Sequence, residues 1–224
     1  MSTPIRLISG CTFRDPWETL RKIREVPDYS IYDTTTNFVD DELGIGEITH
    51  SIMVGSGVTA EMATRLFSIR SKAKEWLEKI PHDLDLVDAR NVDYEHFAKL
   101  IDALQIRDVR LARLTKILHK KRPRFIPVID SVVRGHYLNP NRLSAEQKCE
   151  MLNWSDGRVG ITVLWLMQND ISNSFRELED LRSRLGREGI NLTLARLISH
   201  MLWCDGWGET SPVEERFQSR VIYR

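Results

Sequence analysis

The chain has 224 residues, 42% of them hydrophobic, enough to bury one sizeable core that could divide into two lobes. Acids and bases balance at 32 each, which argues against nucleic-acid or membrane binding through a charged tail but leaves room for a local basic patch. Cys11, Cys149 and Cys204 lie far apart with no CxxC pair, the N-terminus carries no basic-then-apolar leader pattern, and no apolar run is long enough for a bilayer, so the expectation is a soluble protein of the reducing cytoplasm.

Taken in chain order, the segments follow helical rather than alternating periodicity. "DPWETLRKIREV" opens on Asp15-Pro16, an N-cap followed by a first-turn proline. Asp40 and Asp41 precede "ELGIGEITHSIMV", with Leu43, Ile48, Ile52 and Met53 apolar. "TAEMATRLFSIRSKAKEWLEKI" predicts one helix ending at Pro81, and the Asp-rich "DLDLVDARNV" predicts a loop. "DYEHFAKLIDAL" places Phe97, Leu100, Ile101 and Leu104 on one stripe. "DVRLARLTKILHKKR" predicts a helix that must stop by Arg122, since Pro123 disfavours helix at the residue before it. "SVVRGHYL", "SAEQKCEMLNW", "GRVGITVLWLMQND", "SFRELEDLRSRLG" and "NLTLARLISHMLWCDGW" each start or end with cap chemistry. The only strand-like piece, "RFIPVI", is short and holds a proline. These patterns predict an all-α domain of many short helices over residues 39–224, with residues 1–38 as an N-terminal arm.

The most informative stretch runs through the helix that starts at Asp108 to the acid at Asp130. Leu111, Leu114, Thr115 and Leu118 form a core face, and Arg110, Arg113, Lys116 and Lys120 fall opposite. Lys121, Arg122 and Arg124 extend the charge past the helix end, and Arg134 adds to it in the helix after the acid. A stripe of this kind is most often a solvated face. Two features point toward phosphate instead: no acid interrupts residues 110–124, and the rest of the chain is balanced. Asp130 opens "SVVRGHYL" as an N-cap. The same position, rigid and flanked by Ile129, Val132 and Val133, suits a carboxylate that stabilises the cationic sugar formed when a base leaves DNA.

"LTKILHKKRPRFIPVIDSVVR" resembles the pattern of a bacterial family carrying a domain of unknown function, as do "IPHDLDL" and "LISHMLW", over roughly residues 30–205. More distantly, a helix, a proline-containing apolar connector and "VIDSVVR" resemble the core of the helix-hairpin-helix DNA glycosylases. That resemblance implies a helix-hairpin-helix glycosylase-like bundle with a cleft near Asp130, and it makes Asp130 the catalytic acid. On the phosphate reading of the basic stripe, the expected DNA contacts are Arg110, Arg113, Lys116, Lys120, Lys121, Arg122, Arg124 and Arg134. The chain departs from the superfamily in two places. "LQIRDVRL" has no glycine where the hairpin would approach a phosphate. Arg110 to Arg113 hold no nucleophilic lysine, and Lys116 lies about a turn too late. The expectation is therefore a DNA-binding protein, with monofunctional N-glycosidic cleavage through Asp130. The alternative is a non-enzymatic helical interaction protein with the same fold.

Other constellations predict less. No two of the six histidines, at 50, 82, 96, 119, 136 and 200, are close in sequence, so neither a metal nor a cofactor is expected. His119 reads as a surface residue at the edge of the basic face. Asp83, Asp85 and Asp88 lack the glycine and terminal Glu of a calcium loop and read as loop caps. Trp165 and Trp203 sit on apolar patterns and read as core. Trp207, between glycines, reads as helix-end packing, with base stacking as its functional alternative.

Overall fold

The computed structural model describes residues 3–24, 27–34, 38, 40–139 and 145–205. Twelve helices lie within them, and the fold is all-α apart from one small hairpin. They are α1 (Pro16–Arg24), α2 (Pro27–Thr34), α3 (Ile45–Met53), α4 (Ala60–Ser68), α5 (Arg70–Leu77), α6 (Asn91–Ala103), α7 (Leu111–Leu118), α8 (Ser131–Tyr137), α9 (Ala145–Leu152), α10 (Asp156–Asn173), α11 (Phe175–Arg187) and α12 (Leu194–Asp205). The hairpin pairs β1 (Ile5–Arg6) with β2 (Thr12–Phe13) in antiparallel register, Ile5 opposite Phe13. No helix among the described residues is long and apolar enough to cross a membrane.

The core forms around α6 and α10. The α6 stripe of Phe97, Leu100, Ile101 and Leu104 is fully buried, as are Val163, Leu164, Met167 and Ile171 of α10. Gly157 and Gly160 let the two helices meet: a Cβ at Gly157 would lie 2.5 Å from the Ala98 carbonyl oxygen, and one at Gly160 would lie 2.7 Å from the Phe97 ring. Local chemistry sets several helix starts. Asp15 Oδ1 accepts from Glu18 N–H, Thr59 Oγ1 from Met62 N–H, and Ser155 Oγ from Arg158 N–H.

The N-terminal segment shares this core. Ile5, Leu7, Phe13 and Leu20 are buried within the main hydrophobic cluster, and Asp170 of α10, itself buried, takes the Ser9 N–H and O–H at 3.0 and 2.6 Å.

Several expectations need correction. The helix predicted from Thr59 to Pro81 is broken at Ile69 (φ −115°, ψ 13°), which ends α4 and begins α5. Helix α7 stops at Leu118, and residues 119–125 continue as turns, carrying three consecutive cationic side chains into different surroundings. Trp203 is buried as expected, but Trp165 is 54% exposed, because α10 is packed on one side only. Trp207 lies outside the described residues.

Candidate functional site

The cationic stretch does not form one open face. Arg110 makes a two-pronged pair with Asp156 at 2.8 and 3.1 Å. Arg113 donates to the Ser56 carbonyl (2.7 Å) and to the Asp108 carbonyl. Lys116 Nζ donates to the Val54 carbonyl at 2.7 Å. Lys121 is 2% exposed, with its ammonium held between Asp40 (2.6 Å) and Glu47. Arg122, 1% exposed, donates to the Ile80, Leu77 and Lys121 carbonyls, to His82 and to Asp41. Arg124 pairs with Asp85 at 3.0 Å, and Arg134 lies exposed on α8. Lys121 and Arg122 are therefore interior groups, because a cation buried in apolar surroundings must take its counter-charges with it. Asp85 also accepts from Val87 N–H at 3.2 Å, a loop-capping role.

The turn between α6 and α7 is a tight hairpin. Ile106 and Val109 form an antiparallel bridge, and Asp108 adopts a left-handed φ of 68°. Asp is one of the few non-glycine residues that tolerates this region. The N-terminus of α7 is occupied from within the chain, since Asp156 accepts the Leu111 N–H at 2.9 Å. A carboxylate thus sits where a helix N-terminus would otherwise receive a phosphate.

Asp130 caps α8, with Oδ1 accepting from both Val132 N–H (2.9 Å) and Val133 N–H (3.0 Å). Among the described residues Oδ2 accepts no hydrogen bond. Thr115 of α7 fixes the approach to the cap by accepting the Ile129 N–H at 3.0 Å.

A buried polar centre lies nearby, and the sequence reading missed most of it. Asp33 of α2 accepts from Arg196 Nε (2.8 Å) and His200 Nε2 (2.6 Å), both from α12. Burial alone would raise the Asp33 carboxyl. Arg196 and His200 outweigh that and hold it well below the usual carboxylate range. Burial, reinforced by Arg196, drives His200 downward, so the neutral ring donates its Nε2–H to Asp33. The fully buried Tyr32 ring organises the neighbours: His119 stacks on it at 5.9 Å, Lys120 Nζ lies 4.8 Å from its centroid and the Arg196 guanidinium carbon 5.2 Å.

His119 is buried, not on the surface as the sequence suggested. Its Nδ1 lies 2.6 Å from the Ile126 carbonyl, and burial, then Arg196, lowers its pKa to about 3. Lys120 is brought down to about 8, first by burial and further by Arg196, against an opposing pull from Asp33. The available signal was Arg196 and His200, two polar residues four apart inside the apolar run "LTLARLISHMLW".

This centre opens into a cleft between residues 119–124 and the α11–α12 loop. One compartment, about 370 Å³, is lined by Asp33, His119, Lys120 and Arg196. A wider one, about 640 Å³, is lined by Phe38, His82, Arg124 and Arg182. Pro123 and residues 190–193 border both.

A serine, a histidine and an acid also meet elsewhere, but in the wrong order for nucleophilic catalysis. Ser9 Oγ sits between Asp170 (2.6 Å) and His136 Nε2 (2.7 Å), so the serine proton goes to the carboxylate and the histidine donates to the serine. The contact with Asp170 fastens the N-terminal turn to α10.

Fold and site together define a small all-helical protein built around a buried charge centre that opens into a cleft with cationic walls. The chain belongs to DUF6308, a family of unknown function whose pattern spans residues 29–188. That span includes Asp33, Lys120 and Asp130 and ends before Arg196 and His200. No curated protein and no solved structure matches the chain.

Proposed function

We propose that the chain binds a small anionic ligand, bearing a phosphate or carboxylate, in the cleft between residues 119–124 and 189–193. The observation that carries this reading is that Lys120 and Arg196 both lie against the Tyr32 ring and line the same compartment. Asp33 offsets one of these charges and orients the guanidinium through Nε. A partly desolvated cationic wall attracts an anion more strongly than an exposed lysine does. Asn191 and Thr193 border both compartments and supply polar side chains beside the cations.

Titration calorimetry with pyrophosphate is the test. The intact chain should bind it, and Lys120→Gln should weaken binding by about tenfold or more, the loss of one charge-assisted contact. Equal affinity in the two proteins would overturn the reading.

A second reading, N-glycosidic cleavage in DNA through Asp130, is favoured by one arrangement: α6, a tight hairpin and α7 lead to a helix capped by Asp130 through Oδ1 alone. Against it stand the Asp156 carboxylate at the α7 N-terminus and the internal engagement of most of the cationic stretch. Asp130→Asn keeps a good cap. On this reading the intact protein releases a modified base from DNA, and the variant loses that release while it retains DNA binding. Full release by the variant, or none by the intact chain, sinks it.

A further inference from the structure

We propose that the cleft takes a ligand with two anionic groups, one in each compartment, joined by an uncharged carbon skeleton such as that of a bisphosphorylated sugar. This rests on the anion-binding reading and adds the shape and charge of the ligand to it. Among the described residues that line the two compartments, Asp33 is the one acid, whereas Lys120, Lys121, Arg124, Arg182 and Arg196 are cationic. Acids and bases balance over the whole chain, so the cleft collects positive charge that the rest of the molecule does not show.

That charge is divided between the compartments. Lys120 and Arg196, each 3% exposed, line the narrow one. Arg124 and Arg182 line the wide one, together with Lys121, whose ammonium is directed at Asp40 and Glu47. Asp85 faces the Nε and Nη2 edge of Arg124, at 3.1 and 3.0 Å, so this guanidinium has further donors to offer. The Arg182 pair with Glu179 (2.7 Å) is a half-exposed i,i+3 contact on α11, of the weak kind that a ligand anion displaces. Neither Asp85 nor Glu179 lines the cavity, so both arginines bring their charge to it.

The junction between the compartments is apolar. Pro123, Ile190 and Leu192 border both, and Thr193 Oγ1 donates to the Pro123 carbonyl at 2.9 Å, which ties the two walls together where the compartments meet. A charged group held at this waist would give up water for aliphatic carbon. The carbon skeleton of a sugar would not, and the Asn191 side chain is at hand for its hydroxyls. The volumes, about 370 and 640 Å³, suit a small molecule rather than a polymer.

Titration calorimetry on the intact chain compares fructose 1,6-bisphosphate, fructose 6-phosphate, pyrophosphate and tripolyphosphate. The bisphosphate should bind about tenfold tighter or more than the monophosphate, the gain of a second charge-assisted contact. Arg182→Gln should remove that gain and leave pyrophosphate and the monophosphate as they were, because a single anion takes the more desolvated narrow compartment. Lys120→Gln should weaken all of them. Arg182 is half-exposed on α11, so its variant should keep the thermal midpoint of the intact chain. Equal affinity for bisphosphate and monophosphate overturns the proposal. So does an equal loss of pyrophosphate and bisphosphate in Arg182→Gln, which would put the single anion in the wide compartment. Tighter binding of tripolyphosphate than of the bisphosphate would refute the uncharged skeleton. If pyrophosphate still binds through Lys120 in these cases, the anion-binding reading survives alone; if pyrophosphate does not bind, both fall.

Discussion

Lys121 and Glu47 are among the most buried opposite charges in the molecule, with side chains 0% and 3% exposed. Glu47 also holds the start of α3, where Oε2 accepts the Gly44 N–H at 2.9 Å. Removing one partner strands the other in a site without water. Lys121→Met should therefore destabilise the fold by about 3–5 kcal/mol in urea denaturation. Adding Glu47→Gln to it should recover much of the loss, because an amide carries no stranded charge and still accepts from Gly44. A double variant no more stable than Lys121→Met alone would show that the ammonium's packing, and not its charge, holds the site.

At the scale of elements, the close approach of α6 and α10 depends on the absence of side chains at Gly157 and Gly160. Alanine has the higher helix propensity, by about 1 kcal/mol. At Gly157 the new methyl group would meet the Ala98 carbonyl oxygen and the Asp102 carboxylate, which itself accepts the Gly157 N–H at 2.8 Å. Neither can withdraw without opening the helix pair, so overpacking of about 1–3 kcal/mol should win. Gly135 on α8 is the control, since nothing lies within 4 Å of a Cβ placed there. Thermal denaturation should show Gly157→Ala lowering the midpoint and Gly135→Ala raising it. A rise in both would mean that the α6–α10 contact is looser than its geometry implies.

For the whole molecule, the buried centre sets the response to pH. Burial lowers His119 from 6.5 to about 3, so the unfolded chain takes up a proton at a pH where the folded chain does not. Its contribution to stability is full above 6.5 and is lost as pH falls from 6.5 toward 3. His200, lowered for the same reason, acts in the same direction. Asp33, held below the usual range, adds a further loss once pH drops below ordinary carboxylate values near 3.8. Lys120 works at the other end: its folded pKa of about 8 lies below 10.5, so its burial penalty is relieved as pH rises from 8 to 10.5. Stability measured by urea denaturation should fall steadily from pH 6.5 to 4. His119→Gln should make that slope shallower without abolishing it. An unchanged slope in the variant would place the acid sensitivity elsewhere.

The helical class, most element positions and the Asp130 cap were legible in the sequence. Periodicity and capping are local: Phe97, Leu100, Ile101 and Leu104 share a face because of their spacing, and Asp130 reaches N–H groups two and three residues ahead. The use of the cationic stretch was not legible. No acid lies between residues 110 and 124, yet Asp40, Asp41, Glu47, Asp85 and Asp156 reach it from other parts of the chain. The site likewise needed Asp33, Lys120 and Arg196, which are remote in sequence, to meet around Tyr32. Charge pairing and desolvation depend on distance in space, so only the tertiary structure decided which cations were buried and which lined the cleft.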